Sequence, residues 1–403
     1  MPQKAYIAGT FDTKATELNY LKDLLNAACI ETVTIDLATR KTDNGADISP
    51  EQVAVHHPDG PKAVLGLDDR GQAVSAMAKA LQKMVPGLDD LGGIIGAGGS
   101  GGTSIVTPAM RALPIGIPKV MVSTVASGDV ARYVGPSDIC MMYSVTDVQG
   151  LNRISRQVLG NAAHALAGMM ANTVPQAAVT EKPAIALTMF GVTTPCVQRL
   201  TSRLQDRYDC LVFHATGTGG RSMEKLVDSG MIEGVLDVTT TEIADHLVGG
   251  VFSAGAKRMD AFSRKQIPYV GSVGALDMVN FGAIETVPGH FKHRNLYVHN
   301  PQVTLMRTNI DENREIAKFI GAKLNAMAGP VRFFLPAGGV SLIDAPGKPF
   351  HDPDADQTLF DALESLVETN ENRQLTKLPH NINDEAFADA LADAFLAIME
   401  EQR

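Results

Sequence analysis

Two glycine-rich stretches hold the residues best suited to chemistry. The first runs Gly96-Ala97-Gly98-Gly99-Ser100-Gly101-Gly102-Thr103-Ser104, and the second His214-Ala215-Thr216-Gly217-Thr218-Gly219-Gly220-Arg221-Ser222. Each follows a short apolar run and precedes a stretch that can be helical. Glycine lets the backbone turn its N–H groups toward a ligand at close range, and a helix N-terminus behind it adds partial positive charge. That combination favours an anion such as phosphate. The candidate contacts in the first loop are Gly98, Gly99, Ser100, Gly101, Gly102, Thr103 and Ser104. In the second they are Thr216, Gly217, Thr218, Gly219, Gly220 and Arg221, the last as a charged phosphate partner.

The first loop formally matches GxGxxG, but its context is wrong for a dinucleotide. The next strand, Val120-Met121-Val122-Ser123-Thr124, ends in hydroxyls where that fingerprint needs an acidic residue. No GxxxxGK[ST] run exists, so any nucleotide is held by a non-standard loop, with Ser123 and Thr124 as further contacts. Ahead of both loops stands Thr10-Phe11-Asp12-Thr13-Lys14. Here Asp12 is placed to hold Mg²⁺ through water and Lys14 to reach a phosphate, with Thr10 and Thr13 beside them. The same residues also suit a helix cap, Asp12 or Thr13 accepting from the first turn. The catalytic candidates are Asp12 and His214, whose imidazole can act as acid or base. His56 and His57 read as a solvated loop. His290, His293 and His299, beside Lys292, Arg294 and Arg307, fit no metal-ligand spacing and read as a basic patch. Gly98-Gly99-Ser100-Gly101-Gly102 carries the letters GxSxG, but without the rest of the hydrolase pattern Ser100 reads as a phosphate contact, and no CxxC pair is present.

The elements that must position these residues read as alternating strands and helices. A strand at 5–8, a polar loop, a helix over 17–28 with Leu18, Leu21, Leu24 and Leu25 at helical spacing, and a strand at 32–36 open the chain. Residues 38–72 are turn-rich and include Asp43-Asn44-Gly45. A helix over 72–85 leads to the first glycine loop, and a long helix covers 147–170. The pattern starts again near 183, with a strand at 184–189, a helix over 197–206, the second glycine loop, a strand at 234–238 and a helix over 241–249. Ile267-Pro268 then opens a strand as Ile117-Pro118 does. The order strand–loop–helix, glycine loop, Ile-Pro-strand occurs twice, which puts the two glycine loops in matching positions of a duplicated chain. Helices at about 356–370 and 384–400 close it, Asn383 or Asp384 capping the second. The reading is an α/β protein of two domains with mainly parallel sheets, residues 1–180 and 181–403, whose ligands sit beyond the C-terminal ends of strands.

Bulk properties narrow the function classes. The chain has 403 residues, 45% of them hydrophobic and 20% charged, and a net charge of −10 without a long run of basic residues. Nucleic acid and an anionic membrane are therefore unfavoured as partners. Four cysteines and no apolar leader core or long apolar run point to a soluble, cytoplasmic protein.

Together these motifs resemble the UPF0261 family, also called Tm-1-like ATP-binding proteins. The resemblance rests on Gly9 to Lys14, Gly96 to Ile105, Val122 to Asp129, Thr216 to Arg221, Gly271 to Asp277 and His380 to Asp384, and it spans the whole chain. It implies two Rossmann-like domains, ATP binding in the N-terminal one through the Thr10–Lys14 and Gly98–Ser104 segments, and a homodimer. The expectation is an enzymatic step on a small anionic metabolite that uses ATP, with Mg²⁺ at Asp12. A non-catalytic, nucleotide-dependent protein-binding module and an ATP-independent lyase or isomerase acting on a sugar acid or sugar phosphate are the alternatives.

Overall fold

The computed structural model describes residues 3–39, 45–172 and 182–401. Asp43 and Asn44 of the expected turn, and the expected boundary at 180/181, lie outside them. The chain forms two compact units, residues 1–176 and 177–403.

In the first unit strands β1 (Lys4–Gly9), β2 (Thr32–Asp36), β3 (Leu91–Gly98), β4 (Lys119–Ser123) and β5 (Cys140–Tyr143) make one parallel sheet in the order β2-β1-β3-β4-β5. Alternate residues of each strand face opposite sides, so each face needs its own helices. One face, with Tyr6, Ala8, Ile94 and Met121, packs on α3 (Arg70–Met84) and α4 (Ser100–Ala112), with α2 (Pro50–Ala54) beside them. The other, with Ala5, Ile7, Ile95 and Val120, packs on α1 (Phe11–Ala27) and α6 (Arg153–Ala171). The short helix α5 (Ala131–Val134) lies between β4 and β5 in the chain. The leucine spacing read from the sequence is what α1 buries: Leu18, Leu21 and Leu25 are fully covered, each worth about 1.5–3 kcal/mol of transfer free energy.

The second unit carries a larger parallel sheet, ordered β14-β13-β9-β8-β6-β7. Its strands are β6 (Ala184–Met189), β7 (Asp209–His214), β8 (Gly234–Thr239), β9 (Tyr269–Gly274), β13 (Val331–Pro336) and β14 (Arg373–Leu378). Helices α8 (Thr218–Asp228), α9 (Thr241–Val248), α10 (Asp260–Lys265), α11 (Ile310–Asn325) and α12 (Pro353–Leu366) contribute to one face, and α7 (Thr194–Leu204) and α13 (Glu385–Glu401) cover the other. Between β9 and α11 the chain inserts an antiparallel sheet of β10 (Met278–Phe281), β11 (Leu296–Asn300) and β12 (Val303–Arg307), ordered β10-β12-β11. In chain order the second parallel sheet repeats the arrangement of the first, with its second strand at one edge, and adds a sixth strand at the other.

Several sequence expectations shift by a turn or more. Helix α1 starts at Phe11, so the polar run Phe11–Lys14 is its first turn rather than a loop. Helix α6 starts at Arg153, where Asn152 accepts from the N–H groups of Ile154 and Ser155. His57 is buried and accepts from the Asp59 N–H at Nδ1, while its neighbour His56 is exposed. The expected basic patch around residue 294 is internally neutralised: Arg294 chelates Glu312, and Arg307 is buried against Asp356.

Candidate anion site at the end of the first sheet

Strand β1 lies between β2 and β3, and the chain passes to one side of it and then to the other. The C-terminal ends of β1 and β3 are thus a topological switch point, where crossover loops diverge and leave a crevice. The register brings four strand ends together there: Gly9 pairs with Asp36, Ala8 with Gly96, and Gly98 with Ser123. Helices α1 and α4 both start at this edge. The two separate sequence motifs, Thr10 to Lys14 and Gly98 to Ser104, consequently start from neighbouring strand ends, where the switch-point rule places a crevice.

The glycine stretch is less a loop than a sharp strand-to-helix junction. Gly98 ends β3, Gly99 is the N-cap of α4, and Ser100 to Ser104 form its first turn and the start of the second. The first helical bond is Thr103 N–H to Gly99 C=O, at 2.9 Å. The Thr103 hydroxyl also donates to Gly99 C=O, and sits 2.6 Å from the Ser123 hydroxyl. Ser123 in turn accepts from the Val125 N–H, so these two buried hydroxyls brace the floor. Thr124 flanks Gly99: a Cβ built there would lie 3.6 Å from the Thr124 hydroxyl. Ser100 and Gly101 are exposed, and Gly102 and Ser104 half-buried.

N-cap side chains serve α6 (Asn152), α11 (Asn309) and α12 (Asp352), while α1, α7, α8, α9 and α10 have none. Helix α4 has no side-chain cap. Its first N–H groups, which have no intrahelical acceptor, point out of the switch-point end of the sheet. The glycines there are not demanded by packing. A Cβ on Gly101 would meet nothing within 4 Å, and on Gly99 or Gly102 only ordinary contacts. Gly98 is the exception, facing Gly102 Cα at 3.1 Å.

Across the crevice, Thr10 is the N-cap of α1 and its hydroxyl lies 2.9 Å from that of Thr13. Asp12 and Thr13 are exposed, and Lys14 is half-buried. Asp12 does not cap its own helix; the first amide, Phe11 N–H, goes to Asp36 Oδ1 at 3.0 Å, which also accepts from Ala38 N–H. Asp36 was not picked out in the sequence, although an acidic residue at the tip of β2 was its one signal. Among the described residues no group of three His, Cys, Asp or Glu side chains could hold a metal ion. Any Mg²⁺ at Asp12 would therefore draw its other ligands from water and from the bound anion itself.

The second glycine loop has another position and another state. It follows β7, the second strand of its sheet, whereas the first follows β3, the third strand of its own. This corrects the expectation of matching positions. The counterpart of the first loop is Thr239-Thr240-Thr241, after β8. These threonines are fully buried, with Thr239 2.8 Å from the Thr193 hydroxyl, and Phe190, Val192, Ala275, Met278, Leu305 and Phe350 form an apolar cluster around the Val192–Thr193 turn.

In the second loop an anion is already present, and it belongs to the chain. Glu242 Oε1 accepts from the N–H groups of Gly217 (2.6 Å) and Gly220 (3.0 Å) at the start of α8. Its other oxygen takes Arg258 Nε at 2.9 Å, and Arg258 also reaches Asp237 at 2.7 Å and Glu224 at 3.4 Å. Burial alone opposes the Arg258 charge, and Asp237, Glu242 and Glu224 more than reverse this, holding the guanidinium protonated well above its usual range. Every glycine of this loop has a packing reason. Gly217 has φ +80° and abuts the Phe252–Ser253 backbone, Gly219 abuts the His214 backbone, and Gly220 abuts the Glu242 carboxylate. Thr216 donates to His214 C=O, and Arg221 bonds Ser253 C=O and the Thr218 hydroxyl. His214 stays outside the cradle, exposed, its ring 5.3 Å from that of Phe190. Neither Glu242 nor Arg258 was singled out in the sequence; each lies too far along the chain for spacing to link it to the loop.

Comparison with known proteins bears on the whole chain. The model of the N-terminal domain of the uncharacterised protein family UPF0261 matches residues 3–175, and that of its C-terminal domain matches residues 182–399. The chain belongs to the UPF0261 family. A UPF0261 protein of Rhizobium meliloti is 54% identical over 393 residues, covering 98% of both chains. One from Clostridium tetani is 48% identical over 406 residues, covering all of both. The tomato (Solanum lycopersicum) ToMV resistance protein Tm-1(GCR237) is 45% identical over 424 residues, which is 99% of this chain but 56% of the tomato protein. The match to both UPF0261 domains carries the two-domain α/β architecture with parallel sheets. No helix among the described residues is long and apolar enough to cross a membrane.

Proposed function

We propose that this UPF0261 chain binds a phosphate-bearing small molecule, ATP in the first instance, in the crevice between the ends of β1 and β3. One observation carries the reading: α4 begins at the switch point without a side-chain cap, and Gly101 in its first turn faces open space. Phosphate oxygens accept from the N–H groups of the α4 first turn, as an anion does at any uncapped helix start. The Ser100 and Thr124 hydroxyls stand beside that position. Lys14 offsets charge from the α1 side, and Asp12 orients a hydrated Mg²⁺ carried in with the phosphates. ATP then supports a step on a small anionic metabolite, for which positioning and charge stabilisation are the main requirements. The working form is a cytoplasmic homodimer.

The tomato relatives argue against carrying an antiviral role across. A protein named for ToMV resistance and one named for ToMV susceptibility match this chain at 45% and 44% identity. Similarity over this region therefore does not track resistance.

A thermal-shift screen of the purified protein against ATP, ADP, AMP, NAD and sugar phosphates, with and without Mg²⁺, tests the reading. A ligand that binds only the folded state adds about 2.7 kcal/mol at a hundredfold excess over its dissociation constant. A rise of the midpoint with ATP is the expected result. Release of ADP or phosphate alongside a metabolite pool then separates an enzyme from a binding module that returns ATP intact. A rise with sugar phosphates alone would overturn the ATP assignment and keep the anion site.

A further inference from the structure

The second sheet ends under an irregular segment, residues 340–352, that joins the turn after β13 to helix α12. Three observations define what it does. It crosses the ends of other strands: Leu342 N–H donates to Val192 C=O after β6, and Val340 C=O accepts from Ala275 N–H after β9. It delivers Phe350, fully buried, into the apolar cluster of Phe190, Val192, Met278 and Leu305. It is also tied down by charge. Arg307, at the end of β12, donates from Nε to Phe350 C=O at 2.7 Å and from Nη2 to Asp352 C=O at 3.2 Å.

Around that guanidinium lie three buried carboxyls from three places. Asp356 on α12 is 2.7 Å from Arg307 Nη2, and Asp344 in the segment itself is 3.8 Å from it. Asp277, after β9, accepts from the Ser341 hydroxyl at 2.8 Å through Oδ2. Asp344 Oδ2 accepts from Val340 N–H. The remaining oxygens, Asp277 Oδ1 and Asp344 Oδ1, are buried with no hydrogen-bond partner among the described residues. Three ionised carboxyls against one guanidinium would leave two uncompensated negative charges in a dry interior, which low dielectric makes very costly. Neutralising two of the carboxyls with protons removes that excess.

We propose that residues 340–352 are a strap closing the C-terminal end of the second sheet, and that Asp277, Asp344 and Asp356 about Arg307 form its proton-dependent latch. With the protons in place the cluster is neutral and the strap stays seated. When two protons leave for bulk water, carboxylates repel one another across Ser341 and Arg307, and the strap loosens from Asp277 and Arg307 while its backbone bonds to Val192 and Ala275 still hold it nearby. The titration behaviour agrees. Burial, first of all, pushes the Asp277 carboxyl up to about 7 against the pull of Arg307, with Asp344 adding to the rise. Burial likewise pushes Asp356 up to about 8, again opposed by Arg307 and assisted by Asp344. The groups facing the latch are Arg307 from β12, Asp356 from α12, Asp277 from the turn after β9, and Asp344 and Ser341 from the strap. A carboxyl whose folded pKa is raised contributes stability that is present at low pH and lost as pH rises through the folded value. The strap is therefore seated at pH 6 and loosened at pH 9.

Hydrogen–deuterium exchange of the full chain between pH 6 and pH 9, expressed as protection factors, tests this. Peptides covering 340–352 should lose about tenfold or more of their protection over that range, since each pH unit between a carboxyl's pKa in the loosened strap and its raised pKa in the seated one contributes up to tenfold. Asp277→Asn and Asp356→Asn, which mimic the protonated acids, should each flatten the slope. A flat wild-type profile overturns the latch, as does a slope unchanged in both folded variants. If either variant fails to fold by circular dichroism, the wild-type profile of 340–352 against that of β8 peptides (234–239) decides alone: equal slopes in the two overturn it.

Discussion

The two glycine loops look alike in sequence and differ in what their backbones do. The loop at Gly217–Gly220 is full: its amides hold Glu242, its glycines are packed against backbone and carboxylate, and the anion is covalently part of the fold. The loop at Gly98–Gly102 is open: no side chain caps its helix, and Gly101 touches nothing. A glycine with a steric reason speaks for packing, and one without a reason for something the fold itself does not supply. Glycine count alone cannot separate the two cases; what surrounds each absent Cβ can.

The largest effect that would break this comparison is at Glu242. Glu242→Ala removes the acceptor of two buried amides and one of three counter-charges from a buried arginine, and should destabilise the protein by about 3–5 kcal/mol in chemical denaturation. A loss under 1 kcal/mol would mean that the second loop does not depend on its internal anion. Gly220→Val should be similarly damaging, since its side chain must displace Glu242 or Arg258.

Gly101→Val sharpens the contrast from the other side. Denaturation midpoints should move by no more than about 0.5 kcal/mol, while affinity for the ligand found in the thermal-shift screen falls tenfold or more by titration calorimetry. Full affinity in the folded variant would remove the first loop from the site.

The units also differ in where their shifted acids sit: those of the first are exposed or half-exposed, and the raised ones of the second are buried. Among groups with a resolved shift, the first unit's Asp47, Asp90 and Asp138 are lowered. In the second unit the surface residue Asp389 is lowered too, by Arg199 and Arg203, whereas the buried Glu224, Asp245, Asp277 and Asp356 are raised. Burial pushes Asp245 up to about 7, against the amides of Asn280 and Phe252 that favour its charge. Its stabilising contribution is complete below the unfolded value of about 3.9 and lost as pH rises through about 7. Between pH 6 and pH 9 exchange protection should therefore fall in α9 and β10 of the second unit and hold in β1 and β3 of the first. Equal slopes would show that the difference in burial has no thermodynamic weight.

The smallest effect belongs to Lys14. Lys14→Met should weaken ATP binding about three- to tenfold at low salt and less at 0.5 M salt, because a half-exposed charge is screened. A salt-independent loss would point to a shape role instead.

Much of the architecture was legible in the sequence because it is local. The leucine spacing in α1, the apolar runs of β1, β3 and β4, and the Ile-Pro openings of β4 and β9 each report on their own few residues. Polarity misled where a helix start mimics a loop, as at Thr10 to Lys14, whose hydroxyls and charges sit on the exposed first turn. Strand β14, Arg373-Gln374-Leu375-Thr376-Lys377-Leu378, was missed because an edge strand buries little and reads as polar. The β11–β12 hairpin was missed because its turn reads Asn300-Pro301-Gln302 and its first strand is largely exposed. Sheet order, and with it the difference between the third strand of one unit and the second of the other, is set by pairing between distant residues that no local pattern records. The candidate site was therefore visible as two separate motifs, and only strand pairing makes them one crevice.

That pairing has a consequence for how the protein is made. The crevice joins the end of β1 at Gly9 to the end of β3 at Gly98, with β2 and its crossovers between them in the chain. At a synthesis rate of about 5–20 residues per second, the second wall leaves the ribosome several seconds after the first. Until then α1 has one edge of β1 and no neighbour on the other. The proposed site is thus completed in a single step, when β3 pairs, and a ligand held there would favour the correct strand order over its competitors.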